Sequence, residues 1–156
     1  MNKKSFPLLI IPSVFLLDRF FKNLISDYYL EGGGFAVIPE IFHITRVNNT
    51  GAAFGMLKGY APFLTAVSIL FVVLLFAYLL KSVFSSSSWR MNEAAWSLVI
   101  AGAASNLYDR LRYGYVIDFL DFRIWPVFNL GDASICLGVF LVALGLWKQG
   151  KRARAN

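Results

Sequence analysis

Cysteine and histidine are nearly absent from this chain, and charge is scarce. One cysteine, Cys136, excludes an intramolecular disulfide and a cysteine-built zinc cage. One histidine, His43, excludes paired-histidine metal motifs such as H-E-x-x-H. Charged residues are 15% of the 156, against about 25% in soluble domains, while hydrophobic residues are 58% and aromatics 17%. So short a chain has too little interior to hide that apolar excess, and its mean hydropathy is +0.60. The composition points to a lipid bilayer, and the length to one domain, 1–156, with a few membrane spans.

The formal charge of +6 does not imply nucleic acid. Lys148, Lys151, Arg152 and Arg154 crowd one end beside an apolar run, as at the cytoplasmic flank of a membrane helix facing anionic lipid. No interleaving of basic and aromatic residues of the strand-binding kind accompanies them.

Four apolar stretches set the expected fold: residues 5–25, 61–80, 91–108 and 131–147. The second is free of charge throughout and at about 1.5 Å per residue spans about 30 Å of hydrocarbon. Asp18, Arg19 and Lys22 interrupt the first, and Asn106 lies near the end of the third. The start, Met-Asn-Lys-Lys and an apolar run, lacks a small-residue cleavage site and reads as an uncleaved first helix. The expected architecture is an all-α membrane core of four transmembrane helices with a small extracytoplasmic β-like segment between helices 1 and 2. That segment falls within Phe35–Val47, behind the three glycines Gly32 to Gly34. The basic tail predicts that both termini are cytoplasmic, with residues 26–58 and 111–130 outside and the serine-rich loop 82–91 inside.

Polar groups at membrane depth need a partner, a wet cavity or a function. Asp18, Asn49, Asn106, Asp109, Arg110, Asp118, Asp121, Asn129 and Asp132 all fall at the outer boundary, which suggests a polar cavity. Each taken singly is ordinary interfacial polarity; the set is not. Gly102, Asn106 and Asp109 share one helix face, so a neighbouring helix can approach closely and hydrogen-bond there. Asp109 is expected to pair with a basic group, Arg110 to anchor a carboxylate or carbonyl, and Asp18 to pair with Arg19. Asp118 is hemmed in by Val116, Ile117, Phe119 and Leu120, and Asp132 stands where a helix enters the bilayer. A helix dipole alone accounts for one acid there, but not for Asn129, Gly131 and a second acid upstream. The spacing of Asp118 and Asp132 permits contact without requiring it. Cys136, on an apolar helix, behaves as a small hydrophobe. His43 lies far from an expected partner, as a surface residue of the outer segment. No serine has a G-x-S-x-G setting. Aspartate is the side chain supplied often enough for hydrolysis.

Five segments in register resemble the bacterial lipoprotein signal peptidases, or signal peptidase II. They are Leu17-Asp18-Arg19-Phe20-Phe21-Lys22, Asn49-Thr50-Gly51-Ala52-Ala53-Phe54-Gly55, Gly102 to Arg110, Gly114-Tyr115-Val116-Ile117-Asp118-Phe119, and Phe128-Asn129-Leu130-Gly131-Asp132. The likeness runs across nearly the whole chain. One departure is Gly131, where that family more often has alanine. The resemblance implies an aspartic peptidase of the bacterial inner membrane that removes signal peptides from prolipoproteins, cutting before a cysteine that carries a diacylglyceryl group. It implies Asp118 and Asp132 as the catalytic pair, with Asp18, Asn49, Gly102, Asn106, Arg110 and Asn129 binding substrate or bracing the site. It implies no metal and no cofactor. Its partners would be diacylglyceryl-modified prolipoproteins and membrane lipid, with no nucleic acid and a monomeric enzyme.

Two other readings compete. A presenilin-like protease would need glycine where Asn129 stands, and more than four spans. A small membrane protein conducting protons or ions through its outer carboxylates would place acids through the membrane depth, whereas the second span has none.

Overall fold

The computed structural model describes residues 6–51, 60–85 and 91–155. The termini, residues 52–55 of the second motif, Lys58 and the Ser86–Ser88 run lie outside the described residues. Each apolar stretch forms a helix: α1 (Phe6–Tyr28), α2 (Ala61–Ser85), α3 (Met91–Tyr113) and α4 (Leu130–Ala155). All run past the bounds expected from hydropathy, because a helix continues into its polar flanks. By length and composition α2 (over Ala61–Phe84) and α4 (over Leu130–Arg152) suffice to cross a membrane. Leu70, Val73 and Leu74 of α2 stand exposed, as lipid-facing residues would.

Helix α3 packs against all three other helices, most extensively α4. Small residues let these two approach: a Cβ on Gly102 would collide with the carbonyl oxygen of Gly131, and one on Gly138 would stand 2.6 Å from the Ala95 carbonyl. Glycine is required at both. Leu79, Val83 and Ile100 form a buried apolar cluster between α2 and α3.

Three strands form an antiparallel sheet in the order β1 (Gly34–Ile38), β2 (Phe42–Asn49), β3 (Val116–Asp121). The β-like segment between α1 and α2 is therefore present, but it is completed by a strand from the α3–α4 connection that hydropathy left as a loop. Gly114, at φ +80°, ends α3 with its N–H on the Arg110 carbonyl and turns the chain into β3. On the far side of β3, Phe119 and Leu120 donate their N–H groups to the Phe128 carbonyl, and Phe128 donates back to Leu120. β3 is thus enclosed on both edges and almost wholly buried. The enclosing segment delivers Asn129 beside Asp118.

Candidate active site

The site forms where β2, β3 and three helix ends meet. Asn129 is the N-cap of α4: its Oδ1 accepts the Asp132 N–H at 2.8 Å, while its own N–H donates to Asp132 Oδ2 at 3.2 Å. This reciprocal pair is a capping box, and it fixes the Asp132 side chain at the start of the helix, where the dipole favours a negative charge. Capping leaves the Asn129 Nδ2 free to donate to Asp118 Oδ1 at 2.7 Å. One asparagine therefore bridges the two carboxylates.

Two further amides complete the arrangement. Asn49 Oδ1 accepts the Gly51 N–H at 2.9 Å, which turns its Nδ2 toward Asp118 Oδ2, also at 2.9 Å. β2 and β3 bring these residues near by pairing Asn49 with Val116 and Val47 with Asp118. Asn106, on α3, donates from Nδ2 to Asp132 Oδ1 at 2.7 Å. All four carboxylate oxygens thus accept an N–H.

Burial is the largest influence on Asp118. It and the nearby Asp132 charge raise the carboxyl to about 7, against the opposing pull of the Asn49 and Asn129 amides and of Lys22. Asp121, three residues on, behaves differently. Burial pushes its carboxyl up, but the Arg123 backbone N–H, the Thr45 hydroxyl and the Arg123 guanidinium together hold it below its ordinary value. It is a buried acid tied to Thr45 and Arg123.

Behind the carboxylates lies a sealed ionic cluster. Lys22 Nζ donates to Asp18 Oδ2, Asp109 Oδ2 and Asn106 Oδ1, each at 2.8 Å, which uses all three of its protons. Arg19 pairs with Asp109 and lies over the Tyr108 ring at 4.7 Å. Asp18 accepts the Ser105 hydroxyl at 2.5 Å and the Gly131 N–H at 3.1 Å, tying α1 to α3 and to the first turn of α4. Asp18, Lys22 and Asp109 are inaccessible to solvent. The expected Asp18–Arg19 pair is therefore not formed. Adjacent residues on a helix do not face one another, and each charge finds its partner one turn away or on α3.

The carboxylates look into a cavity of about 600 Å³. Asn49, Asn106, Arg110, Asp118 and Asp132 form its polar end, while Trp125, Pro126, Val127, Phe128 and Ile135 line the rest. Arg110 Nη2 donates to the Gly51 carbonyl at 3.3 Å, so it anchors a carbonyl at the cavity mouth. Gly102 lies behind the wall, at the backbone contact with Gly131. The structure thus brings together Asp18, Asn49, Gly102, Asn106, Arg110, Asp118, Asn129 and Asp132. Sequence reading did not assign Lys22, Arg19 or Ser105 to the site; the available signal was two cations one turn apart in an apolar run. His43 is half-buried on β2, in register with Asp121, rather than on the surface. Cys136 is exposed and lines the cavity one turn beyond Asp132. Among the described residues no group of three or more histidine, cysteine or acidic side chains is arranged to hold a metal.

Fold and site together define a helical protein with a carboxylate pair, one buried and one half-buried, at the polar end of an apolar cavity, and solved structures of bacterial membrane enzymes share the fold. One, determined by the in meso method at 2.3 Å, superposes with a TM-score of 0.85 at 32% identity, covering 95% of this chain and 91% of that one. Another, by the same method at 1.9 Å, has a TM-score of 0.79 at 32% identity, covering 94% and 97%. The family model for signal peptidase (SPase) II matches residues 10–148. The chain is 40% identical to the lipoprotein signal peptidase of Halothermothrix orenii, over 92% of this chain and 96% of that protein. It is also 40% identical to the lipoprotein signal peptidase of Pelotomaculum thermopropionicum, over 90% and 91%. This chain belongs to the signal peptidase II family of peptidases.

Proposed function

We propose that the protein is an aspartic endopeptidase that removes signal peptides from diacylglyceryl-modified prolipoproteins, with Asp118 and Asp132 as its catalytic pair. The observation that carries this reading is the shared bridge: Asn129 caps α4 through Asp132 and donates to Asp118, so both carboxylates face one cavity in fixed orientations. Two nearby carboxylates do not both ionise readily, and one proton is held between them near neutral pH. With its carboxyl raised to about 7, Asp118 supplies that proton. Asp132 accepts a proton from water as the water attacks the scissile carbonyl, and Asp118 donates to the developing oxyanion. Proton transfer to the amine then completes cleavage. The apolar lining of the same cavity suits a lipidated substrate whose acyl chains stay in the bilayer.

In this reading all four helices cross a bacterial inner membrane, both termini are cytoplasmic, and the sheet and site lie at the outer face. The apolar residues left exposed on β1, Phe35, Val37 and Ile38, suit a sheet resting on lipid. Single cysteines introduced as Gly33→Cys and Gly150→Cys in a Cys136→Ser background test the orientation. An impermeant thiol reagent added from outside should label the first and spare the second. The reverse pattern inverts the topology.

The activity is tested by incubating purified protein with a diacylglyceryl-modified precursor and an unmodified control. Cleavage of the first alone is expected; cleavage of both, or of neither, refutes the substrate class. Turnover should also survive Cys136→Ala and a chelator, since neither the thiol nor a metal has a step in the two-carboxylate mechanism. Reversible loss with chelator would sink the two-carboxylate mechanism.

A further inference from the structure

Of the three amides that address the carboxylates, two have their oxygens fixed by backbone N–H groups: Asn49 by Gly51 and Asn129 by Asp132. Among the described residues no backbone N–H reaches the Asn106 oxygen. That oxygen accepts from Lys22 Nζ at 2.8 Å and from Asn129 Nδ2 at 3.1 Å, and the latter group also serves Asp118. An amide can rotate to exchange its oxygen and nitrogen, and the exchanged form would present an oxygen to Asp132. A cation on Asn106 Oδ1 forbids this, because the exchanged NH2 would face an ammonium that has only protons to offer. Lys22 is itself immobilised, with its other two protons on Asp18 and Asp109.

We propose that Lys22 is a positioning residue for the peptidase reaction, which orients the Asn106 amide and thereby holds Asp132 as the proton-accepting carboxylate. The proposal rests on the peptidase reading given above. Lys22 touches neither the cavity nor Asp132 and acts through one intervening amide. The charged groups bearing on Asp132 are Lys22 and Asp18 from α1, Arg110 from α3 and Asp118 from β3. Asp18 and Asp109 together match the charges of Lys22 and Arg19, so the buried cluster is neutral as a unit.

That neutrality supplies the test. Lys22→Met alone leaves an excess buried negative charge and is expected to fold poorly. Lys22→Met combined with Asp18→Asn removes one charge of each sign, while asparagine keeps an oxygen for the Gly131 N–H. This double variant should fold and yet lose about 10²-fold in kcat, the order of loss that slight misplacement of a reacting group produces. The acidic limb of its pH–rate profile should lie above that of Asp18→Asn alone, because the two variants differ only in the Lys22 cation. Asp18→Asn alone loses an anion near Asp132 while keeping the cation, so its limb should lie below the wild-type one. A purely structural Lys22 would lower yield and melting temperature without moving that limb. A folded double variant whose limb and kcat match those of Asp18→Asn would overturn the proposal.

Carbon-13 titration of the aspartate carboxyls, with the Asp132 resonance assigned by its loss in Asp132→Asn, gives a readout independent of cleavage. The Asp132 midpoint should lie higher in the double variant than in Asp18→Asn, and equal midpoints in the two would refute the proposal. If wild-type protein fails to cut the lipidated precursor while that midpoint still shifts, the functional reading fails and the coupling of Lys22 to Asp132 stands.

Discussion

Asp118→Asn and Asp132→Asn are each expected to lower turnover per folded molecule by about 10²–10⁴-fold, with membrane insertion and substrate binding largely kept. Asparagine preserves shape, but it neither takes a proton from water nor holds the shared one. In the proposed mechanism the pair acts as a unit, so either loss should cost nearly as much as both together. At position 132 the substitution also tests the capping box: an asparagine oxygen can still accept the Asn129 N–H, so α4 should start normally. The pH dependence follows from Asp118. Its carboxyl is protonated below about 7, so the alkaline limb of the rate profile should fall as pH rises through that value. The same group bears on stability. Its folded value lies above its unfolded one, so the stabilisation it gives is full at low pH and is lost as pH rises through about 7. Asp121→Asn should be mild in turnover, since that acid faces Thr45 and Arg123 rather than the cavity. If Asp121→Asn is inactive while Asp118→Asn cuts, the pair is misassigned.

Asp109→Asn should act on the fold instead. Asp109 receives Arg19 on one oxygen and both Lys22 and the Ile117 N–H on the other; Asp109 and Lys22 are out of contact with water and Arg19 is nearly so. Replacing it leaves two buried cations facing Asp18 alone and turns one acceptor into a donor. Breaking a buried pair by removing one partner costs about 3–5 kcal/mol, far above the value of an exposed pair. A thermal unfolding midpoint lower by about 10 °C is expected in the same detergent. Cleavage should survive in whatever folds, since Asp109 makes no contact with Asp118 or Asp132 in the described structure. Unchanged melting with abolished turnover would reverse this division of roles.

The four helices were legible because each is written as a long apolar run, a local property that needs no knowledge of neighbours. The amide and acid positions were legible as a set through the motifs at Asn49, Asn106, Asp118 and Asn129-Leu130-Gly131-Asp132. The ionic cluster was not. Arg19 and Lys22 meet partners 90 and 84 residues away, and a cation near a helix end looks the same in sequence whether it snorkels or pairs. β3 was missed for a related reason. Val116 to Asp121 is a short apolar run with acids, and it becomes a strand because β2 and Phe128 satisfy its two edges.

The interlocking of distant segments sets an order on biosynthesis. Lys22 arrives with the first helix, Asn49 with the first outer segment, Asn106 with α3, Asp118 after it, and Asn129 with Asp132 only as α4 begins. Among the described residues α2 supplies none of these side chains. A nascent chain that has threaded three helices therefore holds Asp18 without the Gly131 donor and Asp118 without Asn129. Such a chain has no assembled carboxylate pair, so under the proposed mechanism the growing protein stays inert toward its surroundings until its last helix emerges.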